Sequence, residues 1–133
     1  MTSTEPTSTE RLHSIAEVAA ITGLSTHALR YYERAGLMLQ PIDRAGSTHR
    51  RYAESDVNWV IFITKLRSTG LPISRVREYV DLVRQGEDTI EDRLELLLIH
   101  RLNVLAQLDE ITESLAAIDF KIATYQGRTP TGI

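Results

Sequence analysis

Residues 14–37, SIAEVAAITGLSTHALRYYERAGL, decide the fold of this chain, because they spell two short helices and the turn between them. Ser14 and Glu17 stand at capping-box spacing, where each side chain can satisfy the other's orphan backbone amide at a helix start. Ile15, Val18 and Ala19 give that helix an apolar face. Gly23 ends it, since glycine enters the left-handed region without a Cβ clash. Ser25 is a natural N-cap for a second helix, and Leu24 and Leu29 have the spacing of a hydrophobic staple across it. This second helix closes near Ala35-Gly36. Two short helices around a tight glycine-containing turn make a helix-turn-helix pattern.

The second helix has two chemically distinct sides. With Leu29 as origin, His27, Arg30, Tyr31 and Arg34 fall between about 100° and 200° around the wheel, whereas Tyr32 and Glu33 lie within about 60° of the leucine. The outer face therefore offers two guanidinium groups, an imidazole and a phenol. Such groups suit phosphates and base edges, and a helix of this width fits the major groove of B-DNA. On the wheel alone, an ordinary solvated face reads the same way. The next segment favours DNA. Residues 41–52, PIDRAGSTHRRY, carry turn chemistry and are too short and polar for a helix. They predict a small β-hairpin with Arg44 at its tip and Arg50 and Arg51 on the returning strand, next to His49 and Tyr52. A helix beside a basic hairpin is the winged-helix way of holding a duplex.

A third helix is expected after Ser55 or Asp56, with Val57, Val60, Ile61, Ile63, Thr64 and Leu66 at helical spacing, ending toward Gly70. Its Lys65 and Arg67 offer a third backbone contact. A fourth helix follows from about Ser74 to Arg84, with Val76, Tyr79, Val80 and Val83 as its stripe. Gly86 breaks it, and Asp88 or Thr89 can cap a last helix that runs free of Pro and Gly to about Tyr125. That helix is roughly 36 residues or about 54 Å long. Along it Leu97, Arg101, Val104, Leu108, Ile111, Leu115, Ile118, Ile122 and Tyr125 alternate at spacings of four and three, a heptad seam with one polar interruption. Leu94, Leu98, Leu102 and Leu105 form a second stripe. A lone helix of this length cannot bury its seam on so small a domain, and a second copy of the same helix is the simplest partner.

Composition narrows the function. The 133 residues carry a net charge of −3, which by itself argues against nucleic acid. The charge is unevenly spread, however: −2 over residues 1–10, +4 over 11–85 and −5 over 86–133. A basic part joined to an acidic part is an electrostatic footprint worth following. There is no cysteine, which excludes disulfides, thiolate metal sites and thiol redox sensing. The N-terminus, MTSTEPTSTER, has no basic and apolar signal-peptide regions, and no apolar run approaches the length of a membrane span; a cytoplasmic protein is expected. No catalytic triad, phosphate-cradling glycine loop or paired-carboxylate set stands out, so neither catalytic residues nor a cofactor is expected. His13, His27, His49 and His100 are scattered, and no metal site is expected. Trp59, Phe62 and Tyr79 read either as core or as the lining of a small apolar pocket, and the effector is unknown.

Residues 14–84, from SIAEVAAITGLSTHALRYYERAGL through the wing residues HRRY to LRSTGLPISRV, resemble the N-terminal domain of the MerR family of bacterial transcription regulators. Helix-turn-helix, LRYYE, wing and second-wing motifs occur in the family's order, and the long helix sits where the family has its dimerisation helix. The resemblance implies a homodimer held by an antiparallel coiled coil, bound to double-stranded promoter DNA with RNA polymerase at the same promoter. It also implies a two-fold reading of an inverted repeat and distortion of the DNA between the half-sites. Residue by residue, it implies that Thr26, His27 and Arg30 face the groove, that Tyr31 and Tyr32 reach phosphates, that Arg44, His49 and Arg50 serve the first wing, and that Lys65 and Arg67 serve the second. One departure is Thr48, which stands before His49 where the family usually has glycine; Gly46 lies two residues earlier. Threonine disfavours positive φ, so a differently shaped hairpin tip is expected. The metal- and redox-sensing members use cysteines, and drug-sensing members carry a further C-terminal domain; neither feature is found in this sequence.

The expected architecture is therefore mainly α. A disordered tail over 1–12 precedes a winged helix-turn-helix domain over 13–84 with a small β-hairpin wing. A coiled-coil dimerisation helix over 88–125, its interface formed by Val104, Leu108, Ile111, Leu115, Ile118 and Ile122, precedes a flexible tail over 126–133. The expected function is a sequence-specific, dimeric DNA-binding transcription regulator. An architectural or excisionase-like DNA-binder, or a coiled-coil protein-interaction module, is the alternative.

Overall fold

The computed structural model describes residues 12–40, 43–44 and 50–127. The tail expected over 1–12 lies outside them except for Leu12, as do Thr48, His49 and residues 128–133. The described residues form helices α1 (Ile15–Thr22) and α2 (Thr26–Arg34), strands β1 (Asp43–Arg44) and β2 (Arg50–Arg51), and helices α3 (Glu54–Ser68) and α4 (Ile73–Gln85). A 3₁₀ turn (Glu87–Thr89) and helix α5 (Ile90–Tyr125) complete the order. The chain divides into two compact units, one up to Arg93 and one from Leu94.

The caps explain why the helices of the first unit begin and end where they do. Ser14 and Glu17 close a capping box: Glu17 N donates to Ser14 Oγ at 3.1 Å and Ser14 N donates to Glu17 Oε1 at 2.9 Å. Ser25 Oγ accepts from Ala28 N at 3.0 Å. Helices α2 and α3 both end in Schellman motifs. After α2, Leu37 N donates to Tyr32 O and Gly36 N to Glu33 O, with Gly36 at φ 75°. After α3, Leu71 N donates to Leu66 O and Gly70 N to Arg67 O, with Gly70 at φ 100°. In both motifs the apolar pair that should accompany the turn is buried, Tyr32 with Leu37 and Leu66 with Leu71.

One helix start and one cap differ from expectation. Helix α3 begins at Glu54 with Ala53 as N-cap, not at Ser55 or Asp56. The backbone of His13 bonds in both directions to that of Tyr52, at 2.8 Å each way, which holds the chain extended until Ala53. Asp56 then sits one turn inside, where its carboxylate accepts from Ala53 N at 2.9 Å. Thr89 does not cap α5 forward. Its hydroxyl points back, donating to Leu82 O at 2.6 Å or Gly86 O at 2.9 Å, and accepts from Arg93 Nε at 3.0 Å.

The core of this unit is one apolar cluster. Helix α1 packs against α2 and α3, and α3 packs against α4. Val18, Leu29, Leu37, Tyr52, Val60, Ile63, Val76 and Val80 are fully buried within it. Residues from six segments meet there, so each helix depends on the others to bury its stripe. Strands β1 and β2 pair antiparallel, Asp43 with Arg51 and Arg44 with Arg50, so Arg44 stands in a strand opposite Arg50 and not at the hairpin tip as expected. Trp59 stacks on Tyr79 at 5.9 Å between ring centroids, and Phe62 leans on Tyr79 at 5.8 Å, so the three aromatics pack on one another. Burial pushes the Tyr79 hydroxyl above its ordinary value, against the opposing pull of the Arg93 guanidinium.

The second unit is the remainder of α5, which runs 36 residues in all. Its buried positions among the described residues are Leu96 and His100. Beyond them, Leu108, Ile111, Leu115, Ile118 and Ile122 are each about half exposed or more, from 47% to 64%. Leu94, Leu98, Leu102 and Phe120 are similarly open. Among the described residues no helix is long and apolar enough to cross a membrane.

Candidate nucleic-acid interface

Helix α2 is anchored by one side and open on the other. Leu29 is buried at its middle and Tyr32 one turn on. His27, Arg30, Tyr31 and Arg34 are exposed and Thr26 is half-buried. Among the described residues, no hydrogen bond or ion pair engages the side chains of His27, Arg30 or Arg34. Their donors therefore stay available to an outside acceptor.

The adjacent tyrosines go separate ways. Their rings meet edge-on, with centroids 6.4 Å apart and planes at 62°. Tyr31 is 39% exposed and Tyr32 only 7%. The Tyr32 hydroxyl lies 3.3 Å from Thr64 Oγ1, tying α2 to α3. Tyr52 is fully buried, and its hydroxyl donates to Glu33 Oε2 at 2.5 Å, tying the base of the wing to α2.

At the far end of α3, Lys65 and Arg67 are both exposed. Arg67 Nη1 donates to Leu71 O at 3.0 Å, so part of its guanidinium braces the turn between α3 and α4. Its remaining N–H groups keep the capacity for a phosphate. Arg44 and Arg50 are cross-strand partners in the two-stranded wing, and Arg51 is exposed. The structure thus brings Thr26, His27, Arg30 and Tyr31 together on one helix and pairs Arg44 with Arg50, while His49 lies outside the described residues. Among the described residues no group of three His, Cys, Asp or Glu side chains gathers as a metal site.

Sequence reasoning missed how the end of α2 is held. Four successive carbonyls at and after the Schellman turn, those of residues 35–38, each accept from a side chain of α3 or α4. Arg77 Nε reaches Ala35 O at 3.4 Å, Arg84 Nη2 reaches Gly36 O at 3.0 Å, and Trp59 Nε1 reaches Leu37 O at 2.7 Å. The same Arg84 nitrogen also donates to Met38 O. These partners are 22 to 48 residues apart in sequence, and nothing in local spacing signals them.

Comparison with known proteins agrees with this geometry. A family model described as MerR HTH family regulatory protein matches residues 13–82, and a second, described as MerR, DNA binding, matches residues 57–119. An uncharacterized HTH-type transcriptional regulator of Haemophilus influenzae is 31% identical over 114 residues, which is 86% of this chain and 84% of that protein. The HTH-type transcriptional regulator AdhR of Bacillus subtilis is 42% identical over 88 residues, covering 66% of this chain and 62% of AdhR. Among solved structures, the fold is similar to that of HiNmlR, a MerR family regulator lacking the sensor domain, bound to promoter DNA. The TM-score is 0.81 with 29% identity, over 87% of each chain. A MerR family transcriptional regulator from Listeria monocytogenes aligns with a TM-score of 0.76 and 37% identity, again over 87% of each chain. The helix-turn-helix, the paired wing strands and the long final helix agree with these matches, and the chain belongs to the MerR family of DNA-binding transcription regulators.

Proposed function

We propose that the chain acts as a homodimer whose two α2 helices each read one half-site of an inverted repeat in a promoter, distorting the DNA between them, with RNA polymerase at the same promoter. The observation that carries this reading is the outer face of α2. Four side chains able to bond phosphates and bases stand exposed opposite Leu29, and three of them have no partner among the described residues. Thr26, His27 and Arg30 are assigned to the groove, and Tyr31 to a backbone phosphate. Tyr32 reaches a phosphate only by giving up Thr64 or by accepting from it while donating outward. Arg44, His49 and Arg50 serve the first wing, and Lys65 and Arg67 the second. Sequence reading comes from the groove contacts, whereas most of the affinity and its salt dependence come from the phosphates.

The second copy is argued from α5. Its seam, from Val104 through Leu108, Ile111, Leu115 and Ile118 to Ile122, is largely exposed in the single chain. Six apolar side chains at alternating spacings of three and four are the pattern of a coiled-coil interface. The HiNmlR structure, bound to promoter DNA, is the precedent for a similar fold engaging a duplex.

Arg30→Ala tests the reading. The duplex that the wild-type protein enriches from a random-sequence pool should be bound about tenfold or more weakly, with helical content and dimer mass unchanged. An Arg30→Ala protein with wild-type affinity would remove α2 from the interface. A footprint lying between promoter elements supports regulation, whereas one outside any promoter supports an architectural role.

A further inference from the structure

The four carbonyls that follow α2 are held in a way that bears on how the helix meets DNA. Residues 35–38 are the strap between α2 and the wing. Its one fully buried side chain is Leu37. The Schellman turn fixes its start, but backbone bonds alone leave the carbonyls of Ala35, Gly36, Leu37 and Met38 without helical partners. Trp59 supplies its indole N–H from α3, while its ring stays stacked on Tyr79 of α4. Arg84, in the last turn of α4, sends one guanidinium nitrogen to both Gly36 O and Met38 O. Its other terminal nitrogen lies 3.6 Å from Asp81 Oδ1, which steadies the side chain on its own helix. Arg77, two turns earlier, reaches Ala35 O.

We infer that Arg84 and Trp59 are positioning residues for DNA recognition: by holding the carbonyls of Gly36, Leu37 and Met38, they fix the angle at which α2 and the wing together approach the duplex. This rests on the assignment of α2 to the groove. The physical reason is one of levers. Helix α2 has only nine residues, about 13 Å, with Leu29 and Tyr32 as its buried anchors. A short helix pinned at its middle can rock, and bidentate base contacts tolerate little rocking. Bracing the C-terminal strap to two longer helices removes that freedom. A planar guanidinium suits the task because its donors are pre-organised and can span neighbouring carbonyls.

The test uses the full chain, with Arg84→Gln and Trp59→Phe measured beside wild type. The probes are the duplex enriched by wild-type protein from a random-sequence pool and a scrambled duplex of equal length, each over a series of salt concentrations. Trp59→Phe keeps an aromatic ring on Tyr79 while removing the N–H donor and part of the indole, so it carries the test if Arg84→Gln fails to fold. The expected result is a loss of about tenfold in affinity for the selected duplex, with affinity for the scrambled duplex and the salt slope unchanged. An unchanged ratio between the two duplexes in the folded variants would overturn the inference. So would a fall of about one in the salt slope for Arg84→Gln with both duplexes weakened, because that is the signature of a phosphate contact. Arg30→Ala on the same probes separates the two claims. If it has no effect, the assignment of α2 fails. If it weakens binding while Arg84→Gln and Trp59→Phe leave the ratio alone, only the positioning role fails.

Discussion

Leu108→Glu puts a carboxylate into the middle of the proposed coiled-coil seam. In the single chain Leu108 is 55% exposed, between Ile111 at 64% and the half-buried Val104. Complete burial of a leucine is worth about 1.5–3 kcal/mol, so covering the open half against a partner contributes about 1 kcal/mol. Glutamate forfeits that contribution and must also be desolvated or force the helices apart, a penalty of about 1–3 kcal/mol on protein-derived scales. In a two-fold dimer the change occurs twice, giving about 4 kcal/mol or more. That is near a thousandfold in dimer dissociation constant. Sedimentation velocity at micromolar concentration should show wild-type dimers and Leu108→Glu monomers. Ala117→Glu is the control, because Ala117 lies about 180° around α5 from Leu108 and is exposed; it should leave the dimer intact. A Leu108→Glu protein that still sediments at dimer mass would refute the seam, and with it the proposed two-fold reading of DNA.

Three further outcomes follow from the first unit. Gly36→Ala should lower stability by about 1 kcal/mol, because Gly36 holds φ 75° and the added Cβ meets nothing within 4 Å, leaving backbone strain as the cost; urea unfolding should show a smaller loss for Gly36→Asn. Tyr52→Phe should cost about 1–2 kcal/mol in the same assay, since it removes the hydroxyl that donates to Glu33 while preserving the buried ring. Alkaline pH should weaken the fold through Tyr79. Burial raises its hydroxyl above 10 in the folded chain, so the unfolded chain loses that proton first. The contribution is whole below about pH 10 and disappears as pH rises through the folded value. Urea midpoints between pH 9 and 11 should therefore fall less steeply for Tyr79→Phe than for wild type.

The helix order was readable because each signal is local. Ser14 with Glu17, Ser25 with Ala28, and Gly23, Gly36 and Gly70 act within one helical turn of themselves, and the structure uses them where the sequence places them. Periodicity did the same for the core: Leu29 turns inward and Arg30, Tyr31 and Arg34 turn outward, as 100° per residue requires. One displaced helix start and one unused cap show where local signals fail. Asp56 is as good an N-cap by type as any, but the backbone bridge from Tyr52 to His13, 39 residues earlier, sets where the extended chain stops. Thr89 is a capping residue by composition, yet open carbonyls at Leu82 and Gly86 compete for its hydroxyl and win.

The sequence by itself determined that this chain carries a helix-turn-helix, a short basic hairpin and a long amphipathic helix, because capping, glycine conformation and helical periodicity are properties of neighbouring residues. It also determined which side chains of α2 face outward. Only the tertiary structure decided how α2 is held. A carbonyl advertises nothing about its partner in sequence, and the groups that satisfy Gly36, Leu37 and Met38 arrive from Trp59 and Arg84 on other helices. Arg84 reads in sequence only as the end of the fourth helix; in the fold its guanidinium is turned to the backbone that follows α2.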